Sequence, residues 1–141
     1  MAEKRFGDAK CLRDSGQNNR ASGAIYMAGF VMECLLKGRL MRKYPWLPKA
    51  RNPDGFSTEE RRIWSLCYRS HDLNEILECL PEVYNQLDKV EHGEHHRLKQ
   101  ELKSICARWT IQARYSPLSA SIAEAGDFVS RVKEIKQWLS H

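Results

Sequence analysis

Three sets of side chains in this 141-residue chain have the types and spacing that work on a phosphate or a proton would use. Arg108, Arg114 and Tyr115 fall in one short stretch, where two guanidinium forks can hold a phosphate and a phenol ring can stack on a base. A structural reading stands beside it, in which Arg114 pairs with Glu33 across the molecule. Glu33 lies in the most apolar run of the chain, residues 24–36, where an ionised carboxylate needs a partner. Lys37, one helical turn on, can supply it, so the two read either as a buried ion pair or as a functional carboxylate with its cation. His71, within Ser70-His71-Asp72-Leu73, reads either as a residue bonding its own turn at the start of a helix or as a catalytic base. Arg108 and His71 are thus the catalytic candidates, and Arg108, Arg114, Tyr115, Glu33 and Lys37 the ligand-binding ones.

Other constellations carry less. His92, Glu94, His95 and His96 are dense, but neighbouring histidines on a helix point ~100° apart and Gly93 interrupts the spacing. The cluster reads as a solvated helix start, and neither a metal nor a cofactor is expected. No strand-turn-helix context exists for a nucleophilic serine or cysteine, and no phosphate-cradling glycine loop is present. A helix-turn-helix reading lacks a short helix pair with a polar base-reading face.

The elements that must position these residues follow from periodicity. Ala21, Ala24, Ile25, Ala28, Met32, Leu35 and Leu36 recur at helical steps and predict a central helix over Gln17 to Lys43. Its small residues, Gly29 among them, allow a neighbour to approach closely, and a helix over roughly Lys4 to Arg13 would form its antiparallel partner. Prolines 45, 48 and 53 end the long helix. Ser57 with Glu60 predicts a capping box ahead of Ile63, Trp64 and Cys67. Asp72, with a reciprocal bond from Glu75, predicts a cap for a helix carrying Leu73, Ile76, Leu77 and Leu80, which Pro81 breaks or restarts. Leu98, Leu102, Ile105, Cys106 and Trp109 mark a helix over about His95 to Gln112. Ser119 or Ser121 then caps a last helix with Ile122, Ala125, Phe128, Val129, Val132, Ile135 and Leu139 on its face. Trp46, Trp64, Trp109 and Trp138 are expected as buried core or interface anchors. The pattern predicts one all-α domain over 1–141, an up-down helical bundle of about four to five main helices with a short helical insertion at about 46–67.

Composition sets the remaining bounds. A hydrophobic fraction of 42% and a charged fraction of 29% belong to a folded globular chain. The five cysteines are scattered with no Cys-x-x-Cys pair, and no apolar run spans a bilayer, which predicts a cytoplasmic protein with no membrane association. Net charge is +5, and Lys37, Arg39, Arg42, Lys43, Lys49 and Arg51 follow one another from Cys34 to Pro53 without an acidic residue. That segment reads as an electropositive surface for phosphate or an acidic partner, or as cations complementing helix C-termini.

Three of these patterns, in order, resemble the HEPN family of small helical bundles. Glu33-Cys34-Leu35-Leu36-Lys37 is similar to the family's Glu-x-x-Leu-Lys signature, and His71-Asp72-Leu73 to its His-Asp-Leu. Arg108-Trp109 with Arg114-Tyr115-Ser116-Pro117 is similar to its Arg-Tyr segment before the last helix. The resemblance implies a bundle that commonly forms a homodimer, and nuclease members use an Arg followed by a His and a Tyr. Here Arg108 and Tyr115 keep the spacing, but Ala113 stands at the His position, and alanine transfers no proton. The implied function is therefore a non-catalytic nucleotide- or RNA-binding or partner module, alongside a small nucleotidyltransferase in a bacterial toxin-antitoxin or defence system. The alternatives are a metal-independent ribonuclease using Arg108 with a non-motif histidine, and a structural subunit of a larger assembly.

Overall fold

The longest helix, α2 (Asn18–Lys43), forms where the sequence is richest in alanine and leucine, and several other helices pack against it. The computed structural model describes the backbone of residues 2–14, 18–87, 94–109 and 121–140, and within these all side chains except 11–14, 18–20, 94–96 and 108. Helix α1 (Ala2–Asp14) folds back along α2 after a short link. The Arg5 guanidinium lies 5.2 Å from the centre of the Phe30 ring, and Arg5 Nη1 lies 4.0 Å from Met27 Sδ, so the start of α1 meets the middle of α2 and the pair is antiparallel. Ala21, Ala24 and Ala28 of α2 are buried, and small side chains of this kind let two helices approach closely.

A one-turn 3-10 helix (Leu47–Lys49) and α3 (Thr58–Tyr68) make up most of the expected insertion. It is stitched to the core: Leu47 is buried, Tyr68 Oη donates to Leu47 O at 2.7 Å, and the Trp46 and Phe56 rings meet edge to face at 5.1 Å. Gly55 takes the positive φ, 81°, that closes the turn before α3. The capping box at Ser57 forms as its spacing predicts. Ser57 Oγ accepts from the Glu60 amide at 3.2 Å, and Glu60 Oε1 accepts from the Ser57 amide at 3.0 Å. Ser57→Ala should cost about 1 kcal/mol in urea unfolding, whereas a change under ~0.3 kcal/mol would show that tertiary contacts alone hold α3.

Helices α4 (Leu73–Glu78) and α5 (Pro81–Leu87) are separated at Pro81, which opens the second. Asp72 caps α4 by accepting from the Asn74 and Glu75 amides. The expected reciprocal bond from Glu75 is replaced: Ser70 Oγ accepts from the Asp72 amide at 3.0 Å, because that hydroxyl is already inside the turn. Helix α6 (Glu94–Arg108) carries Leu98, Leu102, Ile105 and Cys106 inward. Ser121 caps α7 (Ile122–Leu139), accepting from the Glu124 amide at 3.2 Å, and Phe128, Val129, Val132 and Ile135 line its buried face. Each fully buried aliphatic side chain of this core contributes about 1.5–3 kcal/mol.

All regular structure among the described residues is helical, in seven α-helices and the one 3-10 turn, and no helix is long and apolar enough to cross a membrane. Three details depart from the periodicity. Ile122, expected on the inner face of the last helix, is exposed at its first turn. Leu35 is only half-buried while Val31 and Leu40 are fully buried, so the inner face of α2 is rotated slightly from the expected stripe. Trp138, expected as an anchor, is exposed near the end of α7, while its neighbour Leu139 is the buried residue of that turn.

Candidate functional site

The polar centre of the molecule is built on Glu33, 3% exposed and the buried charged side chain among the described residues. The helical repeat puts Lys37 one turn further on the same face, and Lys37 Nζ donates to Glu33 Oε1 at 2.8 Å. The same ammonium donates to Ser70 O at 2.7 Å, which ties the chain just ahead of α4 to α2. His71 follows, and its Nδ1 lies 2.8 Å from Glu33 Oε1. With the carboxylate ionised, Nδ1 is the donor. His71 thus does not bond within its own turn; the Asp72 cap fixes the start of α4 so that the preceding imidazole faces α2. From the end of α6, Trp109 Nε1 donates to Glu33 Oε2 at 3.4 Å.

Trp109 is buried on a stripe of α2 one helical face wide. Tyr26 meets its ring edge-on at 5.4 Å, Gly29 lies directly beneath the indole, and Glu33 takes its N–H. Burial by itself would raise the Glu33 carboxyl, but the bonds and charges of Lys37 and His71 outweigh it and hold the group below its ordinary range. One carboxylate therefore joins α2, α4 and α6.

Comparison with protein families, curated proteins and solved structures finds no match. The site must be read from its own geometry. Of the residues singled out in the sequence, Glu33, Lys37 and His71 come together in one cluster. Arg108 ends α6, beside Trp109, but its side chain lies outside the described residues, as do Arg114 and Tyr115 in full. The His92, Glu94, His95 and His96 side chains lie outside them too, and so does any contact of Arg114 with Glu33. The link between His71 and Glu33 was missed by sequence reasoning; the available signal was a buried carboxylate with more lone pairs than one lysine can fill.

The basic segment divides in three. Lys37 turns inward to Glu33 and Ser70 and leaves the surface patch. Lys49 and Arg51 are exposed near the 3-10 helix. Arg39, Arg42 and Lys43 line an open groove of about 410 Å³ with Glu82 and Gln86 of α5. There Arg39 donates to Leu139 O, Lys43 Nζ to Cys79 O at 2.7 Å, and Gln86 Nε2 to Trp138 O at 2.7 Å. Cations do complement helix C-termini here, but those of α4 and α7 as well as their own.

Proposed function

We propose that this chain is a HEPN-like up-down bundle acting as a non-catalytic nucleotide- or RNA-binding or partner module. It would work as a cytoplasmic homodimer alongside a small nucleotidyltransferase in a bacterial toxin-antitoxin or defence system. The observation that carries the reading is the convergence of three separated patterns, Glu33 to Lys37, Ser70-His71 and Trp109, on one carboxylate. Segments that resemble one family in order also meet in space, as parts of one working centre would. The up-down arrangement is supported by pairs at the helix ends. Arg97 near the start of α6 binds Glu134 near the end of α7, and Arg39 near the end of α2 binds Leu139 O. A non-catalytic role is supported by Ala113 at the position of the family's histidine and by a Glu33 carboxylate with donors on both oxygens. Trp109, fixed by Glu33 and Gly29, immediately follows Arg108 and precedes the segment that carries Arg114 and Tyr115.

A second reading has its own support. A carboxylate that accepts from His71 Nδ1 sets the tautomer with a basic Nε2, and that ring is 30% exposed with no other partner among the described residues. A metal-independent ribonuclease would use this dyad to move the 2′-hydroxyl proton, with Arg108 beside the phosphate. One experiment separates the readings: labelled single-stranded RNA in excess chelator, with wild type, Arg108→Ala, Arg114→Ala and His71→Ala. Binding without cleavage, weakened about tenfold by either arginine substitution, is the expected result. Cleavage lost in His71→Ala would replace the binding module with the nuclease. Neither binding nor cleavage would leave the structural subunit.

A further inference from the structure

The groove at the end of α2 lies roughly two to three helical turns beyond Glu33 on the same helix, and nothing in the Glu33 centre uses it. Arg39, Arg42 and Lys43 are spaced at three and four residues, so they rise from one face and line one wall. The opposite wall, α5, contributes a single carboxylate, Glu82, whose contact with Lys43 is 3.3 Å. Three cations face one anion, and the local excess is positive.

The protein's own acceptors do not use up the donors. Arg39 is held by Leu139 O and Lys43 by Cys79 O and Glu82, which fixes where both cations stand. Arg42 is exposed and makes no hydrogen bond or ion pair among the described residues. A guanidinium carries five N–H donors and an ammonium three. Most of those on Arg39 and Arg42 therefore have no protein acceptor in the groove. Crowding has a cost: burial, together with the charge of Arg42, makes the Arg39 cation easier to deprotonate than an ordinary arginine. A doubly charged anion between them would relieve the repulsion. The volume, about 410 Å³, falls in the range of small-molecule sites.

We propose that this groove binds the phosphoryl group of a small phosphate monoester, with the Arg42 and Arg39 forks on its oxygens and Lys43 as a fixed neighbouring charge. Planar forks match the oxygens of phosphate two at a time, whereas a carboxylate would engage only one of the two arginines. Because the groove is open, the rest of the ligand extends toward solvent. The inference rests on the groove alone and stands apart from the RNA-binding reading of the Arg108 to Tyr115 segment.

The test is titration of the full chain with inorganic phosphate, adenosine 5′-monophosphate and adenosine, followed by the Gln86 side-chain amide and arginine Nε–H resonances in NMR spectra at constant ionic strength. The variant is Arg42→Ala, whose exposed side chain bears no bond on which folding depends; an unchanged melting curve verifies that. Lys133→Ala on α7 serves as a surface-charge control. The expected result is saturable binding of the two phosphates and not of adenosine, weakened about tenfold in Arg42→Ala and unchanged in Lys133→Ala. Tighter binding of the nucleotide would assign the phosphoryl group to a nucleotide, and equal binding to free phosphate. No saturation by either phosphate up to ~10 mM, or equal affinity of wild type and Arg42→Ala, overturns the proposal. Loss of RNA binding in Arg108→Ala with phosphate binding intact would show that the two sites are separate.

Discussion

Replacing Glu33 by alanine is expected to lower stability by about 3 kcal/mol, the lower end of what breaking a buried ion pair costs. The substitution strands Lys37 and His71 at the junction of α2 and α4 and leaves the Trp109 N–H without its acceptor. Water moderates the loss, since the Lys37 and His71 side chains keep 16% and 30% exposure and can be partly hydrated. Removing both charges in Glu33→Leu with Lys37→Met should cost less than Glu33→Ala alone, because apolar groups of similar volume leave no buried charge behind. Urea unfolding measures both; a double variant less stable than the single would mean that the pair is not the dominant interaction.

The same carboxylate dictates a pH dependence. Lys37 and His71 hold it below its ordinary value of 4.5 against the opposing pull of burial, so the folded state releases the proton more readily than the unfolded chain. Its stabilisation is complete above ~4.5 and is lost as pH falls through the folded value. The stability gap between wild type and Glu33→Gln should shrink as pH falls below about 5. Taking the difference cancels the opposed shifts of Glu101, raised chiefly by burial, and Glu134, lowered chiefly by Arg97. A gap that stays constant down to pH ~3 would mean that Glu33 does not fold as the ionised partner of Lys37.

How much of this could be read in the residues depends on how local the physics is. The caps at Ser57 and Asp72 were legible, and that of the last helix was narrowed to Ser119 or Ser121, because each cap satisfies amides within three residues of itself. The Glu33 to Lys37 pair was legible for the same reason, being one helical turn long. The contact of Glu33 with His71 joins residues 38 apart and depends on how α4 meets α2, which no local spacing encodes. Charge counting placed Lys37 in a surface patch, yet the buried carboxylate drew it inward, because an unpaired buried charge costs far more than a lysine gains at the surface. Trp109 was legible as an anchor, but its seat over Gly29 was not. The Arg108, Arg114 and Tyr115 side chains lie outside the described residues, and their part of the site rests on the sequence.

Glycine 29 supplies the sharper test, because two physical arguments predict opposite signs for one substitution. Within a helix, Gly→Ala normally stabilises by up to ~1 kcal/mol through backbone entropy and solvation. At Gly29 an added Cβ would stand 2.1 Å from Cε3, 2.3 Å from Cδ2 and 2.7 Å from Cζ3 of Trp109, all atoms of a rigid ring. The indole would have to lift, loosening its edge contact with Tyr26 and its bond to Glu33. Packing should therefore win, with Gly29→Ala destabilising by about 1–3 kcal/mol and Gly29→Val by more. Gly38, further along the same helix, has open space around its missing Cβ, so Gly38→Ala should stabilise by about 0.5–1 kcal/mol. Thermal unfolding of the two alanine variants reads the difference directly. If both are stabilised, the indole does not rest on Gly29; if Trp109→Leu then restores Gly29→Ala, the ring itself is the source of the clash. Because Trp109 immediately follows Arg108, lifting it should also weaken the RNA binding proposed for that stretch, whereas Gly38→Ala should leave it unchanged.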